Sequence, residues 1–513
     1  MTSESDQKSV HVVAQRHEAC LVLFALAWCG NQWGLLMLAA MFVFACVCAE
    51  FFCEATEDCR RHASGGVVLG VTIMPILFSA GASSVPALDV AFRLTWWAGL
   101  AALAMKLWGW SLRRWPTLSP SLVVVSILLY MILLYTFGDV WLIPALLVSG
   151  VCLASVQKAL PQSFTFGEAV LIANLCAVLF HVMLYSVILD MYPLLTLTSD
   201  LRKVIGIGLF SAVGISTLNL LLARVLLSAS VQTWFDHRSA CHAALTGLLV
   251  AFMLEWMSFS IGQNSLVWVW NYITEHTATP LKFIVYYMVV LVPALLFAPD
   301  GKKTKMKQVL VRKYFHVLAL AMFVPTILMN IRFMALAFAV ALSVFMVIES
   351  LRISEMPVVV SIVDPFMKSY IDHRDEGAAI LTHIYLLLGC ALPVFFNYFV
   401  LRGIFTARGL LIALSGVTVT GLGDAAASFC GITFGQHRWY GSKKTMEGTA
   451  AMIIAILVFQ VLCLIVVGFH NLSPESWCKL AIADVLVALL EARTDQIDNL
   501  FLPLYHVALL QMV

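Results

Sequence analysis

Long apolar runs alternate with short polar breaks along almost the whole chain. A membrane-spanning helix needs about 20 apolar residues, so the pattern predicts roughly 13–16 transmembrane helices. The runs before Pro299 lie near residues 19–30, 33–53, 66–83, 93–110, 120–136, 139–156, 168–192, 204–228, 241–261 and 281–298. Later runs lie near residues 314–329, 333–350, 378–400, 409–430, 450–469 and 477–490, and Pro503 interrupts a short apolar tail. The sequence therefore predicts an all-α polytopic membrane protein.

Composition supports the same class. Hydrophobic residues make up 61% and charged residues 12% of the 513 residues, whereas soluble domains carry about 25% charged residues. The formal net charge of +2 gives no basic face for nucleic acid. Most of the thirteen cysteines lie inside apolar runs and predict no disulfide framework. The polar N-terminus lacks a basic segment and a small-residue cleavage site, so we expect no cleaved signal peptide.

Two basic segments set the expected topology. Residues 301–313 carry six cations, and a second basic segment occupies residues 434–449. Basic loops of membrane proteins face the cytosol, and the four predicted spans between these segments put both on one side. Two further spans return residues 491–499 to that side. We therefore expect one cytosolic site, built by residues 301–513, and a multi-span region of unassigned role in residues 1–300.

The segment 434–449, here called the basic loop, is the strongest candidate for a ligand site. It consists of Phe434, Gly435, Gln436, His437, Arg438, Trp439, Tyr440, Gly441, Ser442, Lys443, Lys444, Thr445, Met446, Glu447, Gly448 and Thr449. Cations, hydroxyl groups and backbone donors exposed beside glycine are what a polyphosphate needs. A loop that only fixes topology is the alternative, but topology requires charge alone and would not need three glycines and three hydroxyls.

Asp424 is the strongest candidate for chemistry inside the membrane region. It follows Gly421 and Gly423 within an apolar run rich in small residues. An ionisable residue at membrane depth is costly and is functional by default, and small neighbours allow close packing of helices or a ligand. We expect Asp424 to be a magnesium ligand or the base for an alcohol. The alternative is a capping or packing aspartate beside a glycine kink.

A second acidic cluster comes near the end of the chain. Glu491, Thr494, Asp495 and Asp498 would share one face of a continuous helix. Such a face could pair with the lysines of the basic loop or hold Mg²⁺. A solvated helix end explains the same residues equally well.

Two weaker candidates precede these. His316, in Arg312-Lys-Tyr-Phe-His316, could donate to phosphate, although a residue at the membrane interface is the preferred interpretation. Asp375 and Glu376, in the segment 372–377, could bind a metal or belong to a solvated loop. No Walker A motif, Rossmann glycine loop or His-Glu-x-x-His motif is present, so any nucleotide must bind without those folds.

Several of these motifs resemble the polyprenol kinase family. The resemblance covers Gly423-Asp424-Ala-Ala-Ala-Ser428, Phe434-Gly with Arg438-Trp439, Gly441-Ser-Lys-Lys-Thr-Met-Glu-Gly-Thr449 and Arg312-Lys-x-x-His316. It also covers the segments 373–377, 381–389 and 491–503. It implies an endoplasmic-reticulum enzyme that transfers the γ-phosphate of CTP to dolichol and so makes dolichyl phosphate for protein glycosylation. His373 departs from the pattern, because relatives are expected to carry an acidic residue there.

The resemblance also implies where the ligands lie. CTP is expected on residues 434–449, and a divalent cation such as Mg²⁺ is expected beside it. We assign catalytic roles to Asp424, Lys443 and Lys444, and metal binding to Asp424, Glu491 and Asp498. The assignment of Asp424 as the base is inferred from the residues and is not implied by the resemblance.

Two other classes compete with this interpretation. The first is a CTP-dependent kinase or cytidylyltransferase that acts on another lipid, such as phytol or diacylglycerol. The second is a polytopic transporter, which would carry ionisable residues through its spans and an inverted repeat. The polar groups gather instead at one face, which favours the enzyme.

Overall fold

The protein is helical throughout the part that can be described. The computed structural model describes residues 16–25, 37–39, 41–46, 66–79, 86–114, 119–136, 138–184, 199–228, 235–274, 279–296, 308–367, 377–401, 403, 405–440, 442–469 and 472–513. Over these residues there is no β-strand, only an isolated antiparallel bridge between Arg438 and Thr445. The predicted all-α class is confirmed.

We number the principal helices in chain order. The first half contains α1 (Val67–Ser79), α2 (Pro86–Arg114), α3 (Ser119–Thr136), α4 (Ile143–Ala159), α5 (Phe166–Met183), α6 (Asp200–Ser228), α7 (Phe235–Ile261), α8 (Ser265–Thr274) and α9 (Thr279–Leu296). The second half contains α10 (Gln308–Met329), α11 (Ile331–Ile353), α12 (Pro357–Met367), α13 (Thr382–Phe395), α14 (Ala407–Gly416), α15 (Asp424–Thr433), α16 (Met446–Val467), α17 (Pro474–Arg493) and α18 (Asp498–Leu510). Segments of π-helix extend α13 (Phe396–Val400) and join α14 to α15 (Val417–Gly423).

Many of these helices are suited to a membrane. Within the described ranges, nine helices are long and apolar enough to cross a bilayer, and four apolar helices are shorter. Every predicted run from residue 66 to residue 490 overlaps a helix. The multi-pass class is therefore confirmed. The pattern missed α8 and α12, which are 10 and 11 residues long and too short to span.

Two predictions about the last segment are wrong. The helix through Glu491 does not continue to Asp498, because α17 ends at Arg493 and Thr494 is extended, with φ −82° and ψ 141°. The new helix α18 then begins at Asp498, so these residues do not share one helical face. Nor does Pro503 interrupt the tail, since it lies inside α18.

Helix α18 occupies the centre of the helices around it. All its residues from Asn499 to Leu510 are buried, and it packs against α1, α13, α14 and α17. Pro503 has no N–H to offer the Asn499 carbonyl one turn earlier. Gly389 of α13 packs against that carbonyl so closely that a Cβ there would lie 1.8 Å from the oxygen. The glycine thus allows the two helix backbones to touch.

The two halves of the chain share this core. Helix α6 lies along α11, and α1 lies against α18. The Tyr505 hydroxyl donates to the carbonyl oxygen of Leu21 over 2.8 Å. The predicted region 1–300 is therefore in direct contact with the predicted region 301–513.

Candidate functional site

Asp424 is held inside the protein by an unusual helix. The helices α14 and α15 form one continuous apolar segment, Ala407–Thr433, whose middle is the π-helical Val417–Gly423. Such wide turns are frequent at functional sites. Asp424 follows immediately as the first residue of α15 and is buried. The small residues predicted to allow close packing do so, because Gly421 lies against the backbone of α10 at His316.

Two residues of α10 contact this carboxylate. Lys313 forms an ion pair with Asp424 through Nζ and Oδ2. The Nε2 atom of His316 lies 3.5 Å from the same Oδ2 and 3.3 Å from Oδ1 of Asn499. His316 is buried and packs against Asp424 and Asn499. The side chain of Arg312 lies outside the described residues.

A second ion pair lies beside the first. Lys444 of the basic loop pairs with Glu491 at the end of α17; their side chains are 36% and 2% exposed. Burial lowers the pKa of Lys444, but the charges of Glu491, Asp498 and Asp424 outweigh it and raise that pKa. Burial raises the pKa of Glu491, and Lys444 opposes that shift. The charges of all three predicted metal ligands therefore act on one lysine, which contacts Glu491 directly. We use the name ionic cluster for five residues: Lys313, Asp424, Lys444, Glu491 and Asp498.

The turn between α17 and α18 is fixed by the first half of the chain. Thr165 donates from its hydroxyl to Oε1 of Gln496 over 2.7 Å. Glu168 accepts the backbone N–H of Ile497 over 3.3 Å and that of Thr165 over 2.9 Å. These contacts set the start of α18 and with it Asp498. Sequence reasoning missed Glu168, although the Thr-x-x-Glu capping box that begins α5 was a usable signal.

Two residues of the predicted acidic face turn away from the ionic cluster. The Thr494 hydroxyl donates to Oε1 of Glu18 over 2.7 Å. Burial raises the pKa of Glu18 to about 8; the hydrogen bond from Thr494 opposes this, and the charge of Asp495 adds to it. Thr494 and Asp495 thus belong to a separate contact with the N-terminal segment.

The basic loop folds as a tight hairpin. The N–H of Met446 donates to the His437 carbonyl over 2.8 Å, and that of Trp439 donates to the Lys444 carbonyl over 3.1 Å. Thr445 then caps α16 by accepting the N–H of Gly448. A hairpin closed by backbone hydrogen bonds presents its remaining side chains in fixed directions.

Contacts to α15 and α17 hold the hairpin in place. A Cβ on Gly435 would lie 2.3 Å from the Gly431 carbonyl oxygen, and one on Gly448 would lie 2.8 Å from that of Ala427. These glycines therefore serve close packing on α15, not the exposure of backbone donors. Arg493 donates to the Tyr440 carbonyl over 2.8 Å and lies 4.8 Å from the centre of the Trp439 ring.

The hairpin divides the predicted CTP-binding residues into three sets. The exposed ones are Phe434, Gln436, His437, Arg438, Tyr440, Lys443 and Met446. Partly buried or buried ones are Gly435, Trp439, Ser442, Lys444, Thr445, Glu447, Gly448 and Thr449, and Gly441 lies outside the described residues. The neighbouring lysines thus diverge, since Lys443 faces solvent whereas Lys444 faces Glu491.

The carboxylates suit a metal ion only when it brings further ligands. Among the residues described, no three His, Cys, Asp or Glu side chains are placed to hold a metal ion by themselves. Mg²⁺ commonly uses one or two protein carboxylates and takes its other ligands from water and substrate phosphates. One or two of the predicted ligands Asp424, Glu491 and Asp498 would therefore be enough for an ion whose other ligands come from water or a phosphate group. The predicted candidates Asp375 and Glu376 lie outside the described residues.

The fold and the ionic cluster define a polytopic membrane protein with a charged site formed where several helices begin or end. A family model described as dolichol kinase matches residues 123–392. The chain belongs to the dolichol kinase family. No solved structure matches it.

Curated relatives agree with this family. The chain is 34% identical to the dolichol kinase EVAN of Arabidopsis thaliana over 272 residues, which cover 52% of this chain and 47% of that protein. It is 31% identical to the dolichol kinase of Homo sapiens over 366 residues, 68% of this chain and 65% of that one. It is 30% identical to the dolichol kinase sec59 of Schizosaccharomyces pombe over 366 residues, 68% and 69% of the two chains. The matched part thus spans from about half to just over two thirds of these relatives.

Proposed function

We propose that this protein transfers the γ-phosphate of CTP to the terminal hydroxyl of dolichol. The product, dolichyl phosphate, would serve protein glycosylation, and the enzyme would lie in the endoplasmic-reticulum membrane with its site facing the cytosol. The observation that carries the proposal is the ionic cluster beside an exposed basic hairpin. This combination offers cations for phosphates and carboxylates for a metal or a proton, beside helices that suit a lipid environment. Family membership and the names of the relatives support the same acceptor.

The hairpin supplies the phosphate contacts in this proposal. Arg438 and Lys443 are exposed and meet the triphosphate from the solvent side. Lys444 lies deeper, where it can exchange part of its contact with Glu491 for a phosphate oxygen. Phosphoryl transfer depends mainly on positioning and on neutralising the charge of the phosphates. A divalent ion bound with CTP would add neutralisation, and one or two carboxylates from the set Asp424, Glu491 and Asp498 would hold it.

Asp424 has two open roles in the reaction. As a base it would accept the proton of the dolichol hydroxyl, and as a metal ligand it would position the ion on the phosphates. In either role the contact with Lys313 holds the carboxylate in place before substrates bind. The ring of His316 lies between the Asp424 carboxylate and the Asn499 side chain of α18, so it orients that carboxylate.

An assay of the purified full chain tests the proposal. The protein is reconstituted in lipid and supplied with dolichol and with CTP labelled at the γ- or the α-phosphate. The expected result is transfer of the γ-label, but not the α-label, to dolichol, with ATP and GTP as poorer donors. Transfer of the α-label would identify a cytidylyltransferase. Preference for phytol or diacylglycerol would overturn the choice of acceptor.

Cysteine labelling tests the cytosolic orientation. Tyr440 on the hairpin is 83% exposed, and the side chain of Glu475, at the opposite end of α17, is 75% exposed. In sealed microsomes Tyr440→Cys should react with an impermeant reagent from outside, and Glu475→Cys only after the membrane is opened. The reverse pattern would refute a cytosolic site.

A further inference from the structure

A large apolar cavity lies between the helices, away from the hairpin of the basic loop. Its volume is about 430 Å³, and its walls come mainly from α5, α6, α11 and α13. Pockets that enclose small organic ligands measure about 300–1,000 Å³. Neither the ionic cluster nor the hairpin lines this cavity, so the phosphate chemistry proposed above leaves it unexplained.

The cavity is long and follows one face of α13. Lining residues of this helix and its π-helical extension run from Leu381 through Leu388 to Val400 at helical spacing. At about 1.5 Å per residue this distance is about 28 Å. The hydrocarbon core of a bilayer is about 30 Å thick. The length of the cavity is therefore close to the thickness of a bilayer core, which suits a long, thin apolar molecule.

One end of the cavity carries oxygen-bearing side chains. Ser216, Thr217, Glu349 and Ser350 line it there. Glu349 accepts the N–H of Ile380 over 2.6 Å, directly before α13 begins. The polar end thus lies at the level where α13 starts.

The same end lies at the level of the ionic cluster. His383, in the first turn of α13, packs its ring edge-to-face against Phe315, with centroids 6.2 Å apart, and Phe315 precedes His316. A second link is α18, whose Leu504 lines the cavity six residues after Asp498. Six residues of helix advance about 9 Å. The cavity wall therefore begins within a short distance of the site.

We infer that this cavity binds the isoprenoid chain of the acceptor alcohol, with the hydroxyl end at Leu381 and the chain running toward Val400. The inference rests on the proposed function and adds a place for the lipid. Because lipid tails are as apolar as the cavity, burial alone gives little selectivity. Selectivity comes instead from van der Waals contact between the wall and the methyl branches of the chain.

A cavity-filling substitution tests the inference. Leu388→Trp would obstruct the middle of the cavity. The matched control is Ile454→Trp in α16, at a residue that is 62% exposed. With a long polyprenol, Leu388→Trp should lower kcat/KM about tenfold or more, the size of effect that a misfit in an apolar pocket produces. With a two-isoprene alcohol, which reaches the site without the deep cavity, it should leave kcat/KM and the KM for CTP unchanged. The control should change none of these values. Equal losses for both alcohols, or no loss for either, would overturn the inference.

Photo-crosslinking keeps the inference testable if that variant does not fold. A polyprenol that carries a diazirine about 16 Å from its hydroxyl, the distance from Leu381 to Leu392 at about 1.5 Å per residue, is irradiated with the wild-type protein. The labelled peptides are then identified by mass spectrometry. Label is expected on Leu209 of α6 and Leu392 of α13, which both line the cavity. Label confined to outward-facing residues such as Ile454 would overturn it. This measurement does not require turnover, so a protein that phosphorylates no alcohol would refute the proposed function without deciding the question of the cavity.

Discussion

The pair of Lys313 and Asp424 gives the most informative perturbation. Their side chains are 12% and 2% exposed, so each charge depends on the other for stability. Removing one member of a buried pair costs about 3–5 kcal/mol, whereas replacing both with neutral residues is often close to neutral. We therefore expect Asp424→Asn and Lys313→Met each to lower the midpoint of thermal unfolding strongly. The double variant should recover most of the loss.

Activity should follow a different pattern from stability. Losing a base or a metal ligand costs on the order of 10²-fold or more in rate. Both variants that contain Asp424→Asn should lose at least that much kcat, including the double variant that is stable again. The assay is γ-phosphate transfer from CTP, measured on protein that elutes as a single species in detergent.

The same variants separate the two roles of Asp424. If Asp424 binds the metal, higher Mg²⁺ or Mn²⁺ should restore part of the rate of Asp424→Asn. If it is the base, added metal should not help, and the pH profile should lose its acidic limb. Wild-type turnover in the stable double variant would refute the reasoning, because Asp424 would then be only a packing residue.

Three further predictions concern other contacts. Lys443→Ala should raise the KM for CTP with little change in kcat. Lys444→Ala should lower kcat and the free energy of unfolding, because Glu491 loses its partner. Equal effects of the two substitutions in steady-state kinetics would contradict the different roles of the two lysines. Glu168→Ala should cost about 1–3 kcal/mol, because the buried N–H groups of Thr165 and Ile497 lose their acceptor. It should also lower kcat more than it changes KM, and an unchanged kcat would exclude a positioning role. Glu18 has its pKa raised to about 8, so its contribution to stability is full below the unfolded pKa of 4.5 and is lost as the pH rises through about 8. Thermal unfolding should therefore occur at lower temperature at pH 8.5 than at pH 6.5, and Glu18→Gln should remove that difference.

The sequence located most helices because membrane spans depend on long apolar runs. It also located the principal charged residues of the site, since a charge near a lipid phase needs a partner or a function. It did not identify Lys313 as the partner of Asp424, because the two are 111 positions apart and only packing brings them together. It paired Lys443 with Lys444, whereas the backbone of the hairpin turns them in different directions.

The break at Thr494 shows a second limit. No glycine or proline lies between Arg493 and Asp498, so the sequence pattern predicts one continuous helix through Thr494. The turn is stabilised by Thr165 and Glu168, which lie more than 300 positions earlier. Helix propensity depends on the local sequence and cannot predict contacts between residues so far apart. The prediction brought Glu491 and Asp498 together for the wrong reason: a turn, not a shared face, brings both near Lys444.

The central position of α18 has a consequence for how the protein is made. This buried helix follows all its neighbours α1, α13, α14 and α17 in the sequence, and chains are synthesised from the N-terminus. The surrounding helices must enter the membrane first and leave a cleft between them. Until α18 enters that cleft, His316 lacks Asn499 and Lys444 lacks the charge of Asp498. The site is therefore completed only after α18 has joined the helices that precede it, so a ribosome-bound chain that stops before Asp498 would be inactive.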